Sequence, residues 1–180
     1  MARPLHWLAT ATAMAAVIAT AGLVQPATGT PAAAPDPIAN GPQAAAPDAA
    51  AVTYPLDCKG APQTVTATAQ GDLDGDGRPE TVAAVRCEAG SGTPPHAVYV
   101  LVQDRNEGAR PRVVATLLDP GQRRTVTELT VRDRAVTATL LGYSAPEVPR
   151  CCPDVKQLAK WRWSDGKFRQ ELTDSAARSV

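Results

Sequence analysis

The chain reads as all-β: one small antiparallel domain of about eight strands, a sandwich or a partly open barrel, with few or no helices. Three observations predict this. Apolar residues recur with a period of two through most of residues 53–172, no window of a dozen residues carries a 3.6-residue period, and turn pairs such as Asp165-Gly166 punctuate the pattern.

The strands follow in order. In residues 65–69, Val65, Ala67 and Ala69 alternate with Thr66 and Thr68, which reads as a strand with one buried face. Residues 81–87 form a second strand beyond an acidic loop. The continuously apolar run 97–102 suits a central strand covered on both faces. Further strands fall at 112–118, 125–132 and 135–141, the last two joined by Asp133-Arg134. The final pair, 158–163 and 168–172, is joined by Ser164-Asp165-Gly166-Lys167, whose Asp-Gly is a strong hairpin signal. Trp161 and Trp163 share one face of their strand. In a chain with a single Phe they read as core area rather than as a stacking platform. The Arg side chains at 112, 123, 124, 132, 134, 162 and 169 fall mostly on outward positions and read as a solvated face.

Before this domain the composition changes twice. Residues 1–29 carry a basic residue, Arg3, and then an uncharged apolar run over 5–24, the order of a secretory signal peptide. The run is long enough to span a bilayer, but the small residues Ala27-Thr28-Gly29 that follow favour cleavage. The expected location is therefore secreted, in the extracellular or cell-envelope space, with no membrane span after cleavage. Residues 30–52, nearly all Ala, Pro, Gly, Thr and Asp, offer little apolar area to offset ordering and read as a disordered linker. Residues 173–180 read as a flexible tail.

The sequence holds 18 basic and 18 acidic residues, a balance that argues against nucleic acid and against electrostatic adhesion to membranes. The expected partner is a protein or a cell-envelope ligand, and the expected state a monomer.

The chemically distinctive stretch is Asp72-Leu73-Asp74-Gly75-Asp76-Gly77-Arg78-Pro79-Glu80. Counting from Asp72, carboxylates stand at positions one, three, five and nine, and Gly77 stands at six, where the backbone must turn sharply around an ion. Carboxylates so close repel one another, and a hard divalent cation with oxygen ligands relieves that repulsion. Leu73 can point inward and anchor the loop. An EF-hand would need Glu at position twelve, where Ala83 stands, and strands rather than helices flank the loop.

The pattern resembles the Asp-x-Asp-x-Asp-Gly loops of integrin-type FG-GAP repeats, with Glu80 where those usually have Asp. That resemblance implies a structural Ca2+ held by side-chain oxygens of Asp72, Asp74 and Asp76, the carbonyl of Arg78 and the carboxylate of Glu80. The loop occurs once here, so a propeller of such repeats is excluded.

The cysteines are Cys58, Cys87, Cys151 and Cys152, an even number in a chain read as exported, which predicts two disulfides. Cys151 and Cys152 are adjacent, with Cα atoms about 3.8 Å apart, below the usual disulfide range of about 4.4–6.8 Å. The expectation is that Cys58 and Cys87 each bond one of the adjacent pair.

The segments Leu140-Leu141-Gly142-Tyr143, Pro149-Arg150-Cys151-Cys152-Pro153, Trp161-Arg162-Trp163 and Asp165-Gly166-Lys167-Phe168 resemble the C-terminal part of actinobacterial exported proteins of the LppP/LprE lipoprotein type. With the acidic loop, the likeness covers roughly residues 58–168. It implies a cell-envelope location and no particular reaction. No Cys follows the apolar N-terminal run, a departure that points to a freely secreted relative.

No catalytic residue is assigned. After signal removal His96 is the remaining histidine, it lies beside Pro94 and Pro95, and it reads as a surface residue; Ser91 and Ser144 lie in no nucleophile-elbow pattern. The sequence reads as a non-catalytic binding or envelope-associated module stabilised by calcium and disulfides. The alternatives are a secreted protease inhibitor or other protein-binding factor presenting residues 144–153, and then a metal-dependent hydrolase.

Overall fold

The computed structural model describes residues 44–89, 94–104, 106 and 109–174. Strands β1 (Gln63–Gly71), β2 (Glu80–Cys87), β3 (His96–Val102) and β4 (Arg112–Leu118) form one four-stranded sheet, and β5 (Thr125–Arg132), β6 (Ala135–Gly142), β7 (Val155–Ser164) and β8 (Lys167–Asp174) form another. In both, strands pair antiparallel in chain order, so each sheet is a meander. The sheets do not close into a barrel. Among the described residues the helical elements are two 3₁₀ turns, Ala49–Ala51 and Pro120–Gln122. The latter lies where the chain passes from β4 to β5, set by the Asp119 carboxylate accepting the Gly121 N–H at 2.7 Å. The segment read as a signal peptide, 1–29, and the part of the expected linker up to residue 43 lie outside the described residues. The second sheet continues to Asp174, two residues past the expected domain end, and the tail beyond it is also outside.

Alternation decides which side chains meet. Val82, Ala84, Val98, Val100 and Leu118 of the first sheet share one core with Val126, Val136, Ala138, Leu140 and Trp161 of the second. Trp161 is 2% exposed and supplies the largest side chain of that core. Trp163, read as its core companion, is instead 40% exposed at the strand end, with its ring edge-on to Phe168 at 4.9 Å. The expected hairpins form around two-residue turns with positive φ at both positions, Asp133-Arg134 (50° and 58°) and Asp165-Gly166 (52° and 76°).

The first sheet is buried on its other face as well, which explains the unbroken apolar runs of β2 and β3. Ala83, Val85, Ala97, Tyr99 and Leu101 point away from the second sheet and pack beneath Ala49, Val52, Tyr54 and Leu56. β1 serves both faces. The single-face reading of its alternation is corrected by a bulge at Thr66, which pairs Val65 with Val85 and Ala67 with Ala84, so that Val65 joins the outer cluster and Ala67 the shared core.

The segment read as linker therefore ends earlier than expected, because residues 44–52 begin this cover. Thr81 Oγ1 donates to the Pro47 carbonyl at 2.7 Å, and Tyr54 Oη donates to the Ala49 carbonyl at 2.7 Å. The Tyr54 and Tyr99 rings lie 5.4 Å apart, while the Gln63 amide nitrogen donates to the Tyr54 and Leu56 carbonyls at 3.0 and 2.8 Å. Small alanines on the sheet leave room for this arm, so it needs few large apolar residues of its own.

Cys58, at the end of the arm, bonds Cys87 at the end of β2, with Cα atoms 5.4 Å apart. The expected connectivity is thus corrected: neither cysteine reaches the adjacent pair, and Cys151 and Cys152 are free thiols in the exposed β6–β7 loop. The reason is local. A turn through Lys59 and Gly60, with φ of 53° and 91°, folds Cys58 back beside the strand end, while Cys151 and Cys152 belong to the other sheet. The bridge closes a separation of 29 residues, a loop length for which the chain-entropy relation gives about 3–4 kcal/mol.

His96 is likewise corrected from surface to interior, being 4% exposed. It opens β3, its backbone N–H donates to the Arg124 carbonyl at 2.9 Å, and its Nδ1 accepts the Val126 N–H at 3.3 Å, joining the two sheets where β5 begins. Burial, with a smaller contribution from the Arg86 charge, lowers its pKa from 6.5 to about 4. A depressed folded-state value means that the unfolded chain binds the proton first, so stability present above pH 6.5 is lost as pH falls towards about 4. The shift corresponds to about 3 kcal/mol at most. His96→Asn keeps an acceptor near the Nδ1 position without a titrating ring. Urea unfolding measured across that interval should show a stability decline in the wild type that the variant largely lacks.

Candidate metal centre

The acidic loop spans the turn from β1 to β2, bounded by the register pair Gly71 and Glu80. Its residues hold the turn with their own side chains. Asp72 accepts the Gly75 N–H on Oδ1 at 2.6 Å and the Gly77 N–H on Oδ2 at 3.0 Å, Asp74 Oδ1 accepts the Asp76 N–H at 3.0 Å, and Asp76 Oδ1 accepts the Arg78 N–H at 2.8 Å. Gly75 and Gly77 have φ of 86° and 83°, values that side-chain-bearing residues adopt with strain.

Leu73 between the first two acids is 2% exposed and sits in the shared core, as its inward reading anticipated. Its backbone N–H donates to Glu80 Oε2 at 2.7 Å. Burial raises the Glu80 pKa; the Leu73 hydrogen bond opposes the shift, and the Asp74, Asp76 and Asp72 charges add to it. The protein thus holds a buried carboxylate against like charges.

Of the five residues expected to form the site, the structure gathers oxygens of Asp72, Asp74 and Glu80 within 4.8 Å of one another. Two oxygens on one Ca2+, each at about 2.3–2.6 Å, can stand no farther apart than about 4.6–5.2 Å, so the three fit a single ion. All three are hard carboxylate donors, the type that Ca2+ or Mg2+ prefers. Asp76 lies outside this trio in the same turn. The hollow beside the loop, whose lining includes Asp74, Asp76, Arg78, Glu80, Val102 and Gln103, holds about 80 Å³. The Arg78 guanidinium donates from Nη2 to the Gln103 carbonyl at 3.0 Å, at the rim of the same hollow.

One participant was not legible. Arg134, read as part of a solvated face, donates from Nη2 to the Asp74 carbonyl, and its guanidinium lies over Gly75, where a Cβ would come within 2.2 Å of it. The two residues are 60 positions apart in sequence, and the β5–β6 turn, with Arg134 at φ 58°, brings the guanidinium to the Asp74 carbonyl. No family model matches the chain, nor does any curated protein or solved structure.

The loop's position depends on a close approach at its N-terminal edge. A Cβ on Gly71 would stand 2.5 Å from Val131 Cγ1 on β5. Gly71→Ala should therefore destabilise the protein by about 1–3 kcal/mol, the usual cost of overpacking, and Val131→Ala in the same chain should recover most of it. Denaturant unfolding of the two single variants and the double variant reads that coupling, and additive losses would show that the contact does not set the spacing.

Proposed function

We propose that the protein is an exported, non-catalytic binding or envelope-associated module whose acidic β1–β2 loop takes up one structural Ca2+. The supporting observation is the convergence of Asp72, Asp74 and Glu80 on a volume suited to one ion, at a loop whose Leu73 is part of the core. In that role Asp72, Asp74 and Glu80 hold the cation, with Asp76 and Arg78 as the expected remaining contributors. The ion supplies charge neutralisation, which ties the loop to the strands. The hollow is far smaller than the roughly 300–1,000 Å³ of pockets for small-molecule ligands, which supports a structural ion over a hydrolytic metal. His96, the histidine a hydrolase would recruit, is occupied as an acceptor between the sheets. Export rests on the N-terminal pattern and the resemblance to envelope proteins, and it agrees with the Cys58–Cys87 bridge.

Thermal melting of the full chain with calcium or a chelator tests the ion. At about tenfold excess over the dissociation constant, binding should stabilise by about 1.4 kcal/mol, raising Tm by about 4–8 °C. Glu80→Gln retains an acceptor for the Leu73 N–H and removes a charge that its surroundings disfavour. Its chelated form should melt at or above the wild-type temperature, while its response to calcium should be lost. A wild-type Tm indifferent to both additions rejects the proposal.

A second reading, a protein-binding factor such as a protease inhibitor, draws on the β6–β7 loop. Its residues 143–154 are mostly exposed, Arg150 among them. Yet its ends are tied, with Tyr143 Oη donating to the Arg150 carbonyl and Ser144 donating to the Asp154 carboxylate through N at 2.9 Å and also through Oγ. An exposed but constrained loop presenting Arg150 suits the primary pocket of a trypsin-like protease. Under that reading the full chain inhibits such an enzyme and Arg150→Ala weakens inhibition at least tenfold; no inhibition by the wild type removes it.

A further inference from the structure

The Cys58–Cys87 bridge leaves Cys151 and Cys152 as an exposed pair with no third cysteine to bond within the chain. Their loop is held at both ends, by Tyr143 on the Arg150 carbonyl and by Ser144 on Asp154, and the Cys152 N–H closes a turn onto the Pro149 carbonyl at 2.9 Å. The two adjacent side chains are therefore open to solvent and carried on a segment that no strand pairing fixes.

We propose that Cys151 and Cys152 form a redox-active dithiol that exchanges with low-molecular-weight disulfides, closing to a vicinal disulfide and reopening, while Cys58–Cys87 remains as the permanent bridge. The hydrogen bond to Cys151 and that neighbour's charge raise the pKa of the Cys152 thiol. Cys152 is thereby disfavoured as the first nucleophile, and the first attack falls to Cys151. Cys151 Sγ attacks one sulfur of the small disulfide, and one small thiolate leaves, taking up the proton that Cys151 lost. Cys152 then gives up its proton, and its Sγ attacks Cys151 Sγ, expelling the second small thiolate, which takes that proton. Two electrons and two protons pass from the protein dithiol to the small disulfide, which becomes two thiols.

Adjacent cysteines on a trans peptide have Cα atoms about 3.8 Å apart, short of the usual span of about 4.4–6.8 Å. A bridge closed under that constraint is strained, and a strained, exposed disulfide is reduced more readily than one with ordinary spacing. The same shortfall that disfavours the pair as a permanent staple suits it to cycling.

The test equilibrates the full chain in glutathione buffers from reducing to oxidising, quenches with an alkylating reagent and maps the peptides by mass. The expected result is a 151–152 peptide that passes from doubly alkylated to internally bridged, at poises where the 58–87 bridge stays closed. Cys152→Ser, which lacks the second sulfur, should instead accumulate the mixed disulfide with glutathione. The reduced wild type should bind one trivalent phenylarsenical per chain, and the variant none. Both positions are exposed, and an unchanged melting curve confirms that the variant folds. The proposal is overturned by a peptide still doubly alkylated in the most oxidising buffer, by a wild type that collects mixed disulfide as the variant does, or by covalent dimers in place of the internal bridge.

Discussion

The bond from the Leu73 N–H to the Glu80 carboxylate joins the two halves of this structure's physics. On one side is a core residue, Leu73, packed between the sheets, and on the other a half-ring of acids that repel one another. Because Leu73 lies inside the acidic turn, the turn cannot splay to relieve its charge without withdrawing an apolar side chain from the core. Fully burying a leucine is worth about 1.5–3 kcal/mol. That anchor opposes splaying of the acids, and the Arg134 guanidinium adds a bond to the Asp74 carbonyl within the same turn. Under the proposal made above, a divalent cation would turn that repulsion into a stabilising contact and set the angle at which β1 enters β2.

A similar economy governs the first sheet. A sheet in a sandwich needs cover on one face only, yet β2 and β3 are apolar on both faces, and the N-terminal arm supplies the second cover. Tyr54 on Tyr99, Thr81 on Pro47 and the Cys58–Cys87 bridge fix that arm. The acidic loop and the arm meet near the same strand start: Glu80 and Thr81 are neighbours, one facing the acids and the other bonding the arm. Loss of either cover would expose β2, so the bridge and the acidic loop support one strand from its two ends.

Much of this was legible in the sequence, and what escaped has physical causes. All eight strands were legible, most as period-two runs and β3 as a continuous apolar run, and the Asp165-Gly166 hairpin formed where its turn chemistry required. Asp72, Asp74 and Glu80 were identifiable because ligand spacing within a single loop is a local property. The Thr66 bulge was not, since an inserted residue shifts the faces without altering the alternation on either side. The arm was hidden because packing against alanines needs only small residues, so its composition mimics that of a tether. The disulfide pairing and the Arg134 contact depend on which strand ends meet in space. His96 illustrates the same limit: neighbouring prolines suggested a loop, whereas its ring lies between the sheets as an acceptor.

The central expectation is that the β1–β2 acids take up one hard divalent cation. Equilibrium dialysis of the chelator-stripped full chain against radioactive calcium measures that directly. The expected result is saturation at one ion per chain with a dissociation constant of about 10⁻⁴–10⁻³ M, the range of extracellular calcium modules, and loss of binding in Asp72→Asn. Calcium retained no better by the wild type than by that variant, up to millimolar concentrations, would contradict it.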